Sequence, residues 1–200
     1  MSYNRLIRLA GLVGILTGGI SILFILGRLA RIIPETVDNP RAMITFIFVI
    51  FTLIAMYARQ YQKVGFLGLL GLILTVTALI YNIAFRYVSA FIVPPLAQFE
   101  EAAVAVFSGS INAFIMFIWL LLPVGYILFG FTTFRANVLP RWPAQLIMLG
   151  PVINYIGAMD PTISQIGSLL TYIGLTWLSW GLLTSAGESI PAMWRRPVVE

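Results

Sequence analysis

Residues 9–29 read LAGLVGILTGGISILFILGRL, an apolar run with no charge before Arg28. A membrane-spanning helix needs about 20 mainly apolar residues, because at 1.5 Å per residue these cover the roughly 30 Å hydrocarbon core. Arg5 and Arg8 precede the run, and Arg28 and Arg31 close it. Basic residues ahead of an apolar stretch also mark secretory signals. This run is long, however, and Gly27-Arg28-Leu29-Ala30-Arg31 lacks a small-residue cleavage pattern, so it reads as a retained anchor.

The rest of the 200-residue chain has the same character. It is 60% hydrophobic and 10% charged, where soluble domains average about 45–50% and about 25%. Mean hydropathy is +0.97. A soluble globule of this size needs more charged surface than such a chain supplies. This excludes a cytosolic enzyme, a nucleic-acid-binding domain and a disordered tail. The chain has no Cys and no His. Disulfides, iron–sulfur clusters, thiolate zinc sites, His-ligated haem, Ser-His-Asp hydrolases and HExxH metalloproteases are therefore excluded. No cofactor or metal is expected, and the net charge of +5 reads as the charge bias of a membrane protein rather than as a nucleic-acid footprint.

Five further apolar runs follow, at about 42–58, 64–85, 111–131, 144–158 and 163–183. The expected fold is all-α: one transmembrane domain of six spans over residues 1–186, then a cytoplasmic tail at 187–200. Arg59-Gln60-Tyr61-Gln62-Lys63 would link the second and third spans. The long connection from Val88 to about Phe107 should break at Pro94-Pro95 and restart as helix, with Leu96–Phe107 lying along the interface as an extra helix or projecting from it. Ser108-Gly109-Ser110 reads as a bend.

Charge sets the orientation. Arg5, Arg8, Arg59, Lys63, Arg135, Arg141, Arg195 and Arg196 fall on one side of a six-span layout, opposed by Glu188 and Glu200. The other side holds Arg28, Arg31, Arg41 and Arg86 against Glu35, Asp38, Glu100, Glu101 and Asp160. The Lys/Arg excess places both termini in the cytoplasm, giving a multi-pass protein of the cytoplasmic (inner) membrane. Trp142, Tyr57, Tyr61 and Trp194 would form the cytoplasmic aromatic belt, with Tyr87 opposite.

Lipid tails are as apolar as Leu, so helices in a bilayer associate through close packing and polar contacts. Small or polar residues recur at helical spacing in three runs: Gly11, Gly14 and Gly18; Gly68, Gly71, Thr75, Ala78 and Asn82; Gly167, Thr171, Gly174, Gly181 and Ser185, with Leu178 on the same rhythm. These stripes are the expected seams of a left-handed bundle. Two groups of three spans also fit an inverted repeat, although the halves share no residue-level match.

Few residues carry chemistry. Glu100 and Glu101 read either as a proton or cation site at the outer mouth or as solvated acids in the first turn of a helix; being adjacent, they diverge by about 100° and make a poor dyad. Asn82, Asn112 and Asn154 each need a partner in lipid. They read as interhelical glue or, with Ser108, Ser110, Tyr155 and the two acids, as a polar pocket in the outer half of the bundle. Gly150-Pro151 and Pro123 would free backbone carbonyls beside it. Arg28, Arg31 and Arg86 read as lipid-headgroup contacts or as a clamp for an anion. Asp160, before Pro161, should cap the sixth helix.

The opening Gly11-Leu-Val-Gly-Ile-Leu-Thr-Gly18, the segment Val93-Pro-Pro-Leu-Ala97 and the basic turn Arg135-Ala-Asn-Val-Leu-Pro-Arg-Trp142 together resemble a broad group of uncharacterised small bacterial membrane proteins. The resemblance implies the six-span layout and transfers no site residue. The expectation is a non-enzymatic membrane protein, an accessory or structural component of a membrane assembly, with lipids and either protein partners or further copies of itself as its contacts. The alternative is a small-solute or lipid transporter or channel built on the polar pocket.

Overall fold

A computed structural model describes residues 3–33, 38–97 and 101–185, including all their side chains except those of residues 38–39, 96–97, 101–116, 118, 158 and 185. Among the described residues every long element is a helix. Helix α1 is Tyr3–Leu29. The helical stretch Asp38–Tyr87 contains Gly65 at φ 58° and ψ −156°, a backbone conformation essentially reserved for glycine, and it divides there into α2 (38–64) and α3 (66–87). The two arms fold back on each other. The guanidinium of Arg86, near the end of α3, lies 5.5 Å over the ring of Phe46, near the start of α2. In a straight helix those residues would be about 60 Å apart. Helices α4 (Glu101–Ala136), α5 (Arg141–Ile156) and α6 (Pro161–Ser185) complete the bundle.

Neighbours pack in antiparallel register, and the small residues set the distances. A Cβ on Gly11 of α1 would stand 2.9 Å from the backbone nitrogen of Leu183 in α6. One on Gly71 of α3 would meet the Phe129 nitrogen of α4 at 2.5 Å, and one on Gly125 of α4 would meet the Thr75 nitrogen at 2.6 Å. Gly130 brings α4 onto α5, 2.9 Å from the Ala144 carbonyl on the same measure, and Gly174 brings α6 equally close to the Pro143 carbonyl of α5. Tyr3 Oη donates to the Ala58 carbonyl at 3.1 Å, tying α1 to α2. The six helices therefore form a closed ring in chain order, with α6 returning to α1. All three glycine stripes lie on seams of this ring.

The polarity of the bundle is inverted relative to a soluble protein. Leu9, Leu12, Leu16, Ile20 and Leu23 form an exposed face on α1 (Leu23 is 71% exposed), while Thr17 and Ser21 are buried. Thr52, Thr75, Thr171 and Ser179 are also buried, and each donates its hydroxyl to the carbonyl four residues earlier. Satisfying a hydroxyl within its own helix is a solution suited to lipid, where no water can do so. Four stretches are long and apolar enough to cross a bilayer: Tyr3–Leu29, Pro40–Pro95, Trp119–Ala136 and Pro161–Thr184. Apolar helices with outward-facing leucines and inward-facing hydroxyls mark a membrane protein.

The structure departs from the sequence expectation between α3 and α4. Val88–Ile92 is a π-helical turn and Val93–Ala97 continues as α-helix, so α3 is prolonged rather than broken at Pro94-Pro95. These prolines occupy the first turn of the new segment, where a missing N–H costs least. Residues 101–110 belong to α4 and run helically through Ser108-Gly109-Ser110. Among the described residues no separate interfacial helix intervenes.

Gly71→Ala should force two backbones apart and lower the melting temperature in detergent, a cost of about 1–3 kcal/mol for overpacking. Gly19→Ala, where a Cβ would meet nothing within 4 Å, should leave it unchanged or raise it slightly. Equal shifts in thermal melts of the two variants would contradict the seam assignment.

Candidate functional site

All six helices contribute to one cavity of about 340 Å³. It lies in the half of the bundle that carries the α1–α2 connection, the α3–α4 connection and the start of α6. From α1 and α2 come Ile25, Arg28, Arg41, Phe46 and Val49. From α3 and α4 come Leu79, Asn82, Phe85, Arg86, Trp119 and Tyr126. From α5 and α6 come Asn154, Tyr155, Ser164, Gln165, Ser168 and Tyr172. The volume is at the small end of the about 300–1,000 Å³ typical of ligand pockets. Pro123 of α4 and Pro151 of α5 line it on adjacent helices.

Three arginines line the cavity, and among its described lining residues there is no acid. The Arg41 guanidinium lies 4.1 Å over the Phe24 ring and its Nη1 donates to Ser21 Oγ at 3.4 Å. Arg86 lies over Phe46, as above. Arg28, Arg41 and Arg86 also engage other neighbours, so their positions are held. Asn154 Nδ2 donates to the Ser164 carbonyl at 3.0 Å and to Ser168 Oγ at 2.6 Å, joining α5 to α6 at the cavity wall. Asn82 Nδ2 donates to the Ala78 carbonyl of its own helix at 2.9 Å. The buried Oε1 of Gln165 has no hydrogen-bond partner.

Below the cavity the ring is filled. Leu53, Phe129, Leu178 and Leu182 are fully buried and form an apolar plug together with Met56 and Ile147. Near the far end, Gln60 is 1% exposed and its Nε2 donates to Thr133 Oγ1 at 2.7 Å. The cavity is thus stopped toward that end of the bundle.

Of the residues singled out in the sequence, Asn82, Asn154, Tyr155, Arg28 and Arg86 line the cavity. Arg31 does not. It is exposed, with φ 58°, in the turn that ends α1, where Ile32 N donates to the Gly27 carbonyl at 2.8 Å. Glu100 and the side chains of Glu101, Ser108, Ser110 and Asn112 lie outside the described residues. Asp160 caps α6, its Oδ1 accepting from Thr162 N at 2.8 Å. Sequence reasoning missed Arg41, Gln165 and Gln60. A polar stripe on α6 at Ser164, Ser168, Thr171 and Tyr172, beside the glycine stripe already noted, was the available signal for that wall. No family model, curated protein or solved structure matches the chain.

Asn154→Ala should lower the melting temperature in detergent by the equivalent of about 1 kcal/mol, a usual size for an interhelical polar contact in a membrane bundle. Asn82→Ala removes only a bond within one helix and should cost less. A reversed order in the two melts would show that Asn154 does not join α5 to α6.

Proposed function

We propose that the chain is a non-enzymatic, six-span protein of the cytoplasmic membrane, with both termini in the cytoplasm, that binds a small solute or lipid in the central cavity and transports it. The carrying observation is the cavity of about 340 Å³ that all six helices line, with an apolar plug beneath it. A purely structural or accessory bundle has no use for such a space, because packing alone holds helices together in lipid and a cavity forfeits it. For this reason the transporter reading is preferred to the accessory one.

Six crossings account for the helices economically. The stretch Pro40–Pro95 contains both arms of the Gly65 turn and so counts twice. Helix α5 has only 16 residues, about 24 Å, but the 3-10 turn Gly157–Met159 adds about 6 Å and brings it to the thickness of the hydrocarbon core. The orientation rests on the Lys/Arg excess around Arg5, Arg8, Arg59, Lys63, Arg135 and Arg141, at the plugged end. Trp142, 70% exposed at that end, and Tyr87, exposed at the other, suit the two interfaces. The cavity then faces the outside. Moving a ligand inward would require the plug around Leu53, Phe129 and Leu178 to part, with Pro123 and Pro151, each lacking the N–H that would bond the preceding turn, as natural flexing points.

The chain has no cysteine, so single introduced thiols report without background. Ser168→Cys should react with a membrane-impermeant maleimide in right-side-out vesicles and resist it in inside-out vesicles. Resistance from both sides would remove the cavity reading, and reaction only in inside-out vesicles would reverse the orientation.

A further inference from the structure

We infer that the ligand of this cavity is an uncharged aromatic compound of one or two rings, held next to the plug by a hydrogen bond from the Tyr126 hydroxyl to a ketone or similar acceptor oxygen. The inference rests on the binding role proposed above and names its chemistry. Tyr126 of α4 lines the cavity and is 3% exposed, so what little of it is accessible faces that space. It also belongs to the apolar cluster that contains Phe129, one turn further along α4, and so stands where the cavity meets the plug. Among the described residues its hydroxyl has no hydrogen-bond partner. That hydroxyl keeps accessible surface, unlike Gln165 Oε1, which is sealed off. Other polar groups of the wall are already engaged: the Asn82 and Asn154 amide nitrogens donate to protein acceptors, and the Thr171 hydroxyl donates to the Gly167 carbonyl. Buried phenols ordinarily find a partner, and one left without it is costly. An acceptor oxygen on the ligand would supply the missing bond.

The walls call for rings and not for charge. Phe46, Phe85, Trp119, Tyr126, Tyr155 and Tyr172 all line the space, and they come from every helix from α2 to α6. Aromatic side chains favour a flat ring through offset and edge-to-face contacts that add to simple area burial. The arginines are taken up by the protein. Arg41 lies over Phe24 and donates to Ser21, Arg86 lies over Phe46, and Arg28 has neighbours of its own. A charged ligand would be desolvated here without a counter-charge to spare. Size sets the upper limit. An apolar cavity of about 150 Å³ holds one benzene, so about 340 Å³ accommodates two rings and a short substituent. An oxygen at one end of such a molecule meets Tyr126 while the rings lie among the other aromatic side chains.

The test titrates the full chain in detergent with three fluorinated probes, followed by fluorine NMR: methyl naphthyl ketone, isopropylnaphthalene, which has nearly the same shape and no acceptor, and naphthoate, which is anionic. Each probe is compared between wild type and Tyr126→Phe, so that its uptake by detergent cancels. Tyr126→Phe should weaken the ketone about ten-fold, the size expected for a buried hydrogen bond lost, and leave the hydrocarbon unchanged. Naphthoate should bind at least ten-fold more weakly than the ketone. Without ligand, Tyr126→Phe should melt no lower than wild type, because no bond within the protein is lost. Unchanged ketone binding in Tyr126→Phe, or an equal loss of ketone and hydrocarbon, would overturn the inference. So would naphthoate binding as tightly as the ketone, or a ligand-free melting temperature lowered as far as in Asn154→Ala. If Ser168→Cys reacts from outside while none of the probes binds, this inference falls and the cavity reading stands; resistance of Ser168→Cys from both sides removes that reading itself.

Discussion

Everything in this bundle depends on backbones approaching closely enough for dispersion to act, because lipid offers helices no hydrophobic reward for associating. Gly11, Gly71, Gly125, Gly130 and Gly174 meet that requirement at four different seams. Each stands where even a methyl group would collide with the neighbouring main chain. The hydroxyls along the same faces bond within their own helices, so they cost nothing to bury and leave the surfaces smooth. The leucines and isoleucines left outside are solvated by acyl chains.

The same constraint explains where the cavity is. The close glycine contacts of α4 with α3 and α5 lie at 125 and 130, toward the plugged half of the bundle, and Pro123 and Pro151 line the cavity. On α6 the close contacts extend along the whole helix, so α1, α5 and α6 form the firmer wall. The polar lining collects on the upper turns. The cavity is therefore the region in which close packing has been given up, with arginine and amide groups placed in the space that results.

Much of this was legible in the sequence, and the failures have identifiable causes. Spacing of three and four residues revealed Gly68-Gly71-Thr75-Ala78 and Gly167-Thr171-Gly174 as seams, because a helix face is a local property. The position of the turn between α2 and α3 was less clear. The polar run Arg59–Lys63 looked like the link, but the helix carries on through it and reverses at Gly65, the one residue there able to adopt φ 58° and ψ −156°. That shift puts Gln60 inside the bundle rather than in a loop. Pro94-Pro95 suggested a break, and a π-turn absorbed it instead. Arg41 and Gln165 could not be assigned to a common site, since their meeting depends on how six helices are rotated about their axes, and no single stretch of sequence encodes that.

The ring is closed by α1 and α6, whose contact joins residues some 170 positions apart in the chain, Gly11 with Leu183. During synthesis α1 enters the bilayer early and has only α2 beside it until α6 emerges. Until that moment Arg28, Arg41 and Arg86 have no enclosing wall, and Thr17 and Ser21 face whatever lies next to them. Assembly is therefore completed from the two extremes of the bundle at once. A polypeptide arrested before α6 would carry every arginine of the site yet have no chamber to hold them, which would make it a natural target for membrane quality control.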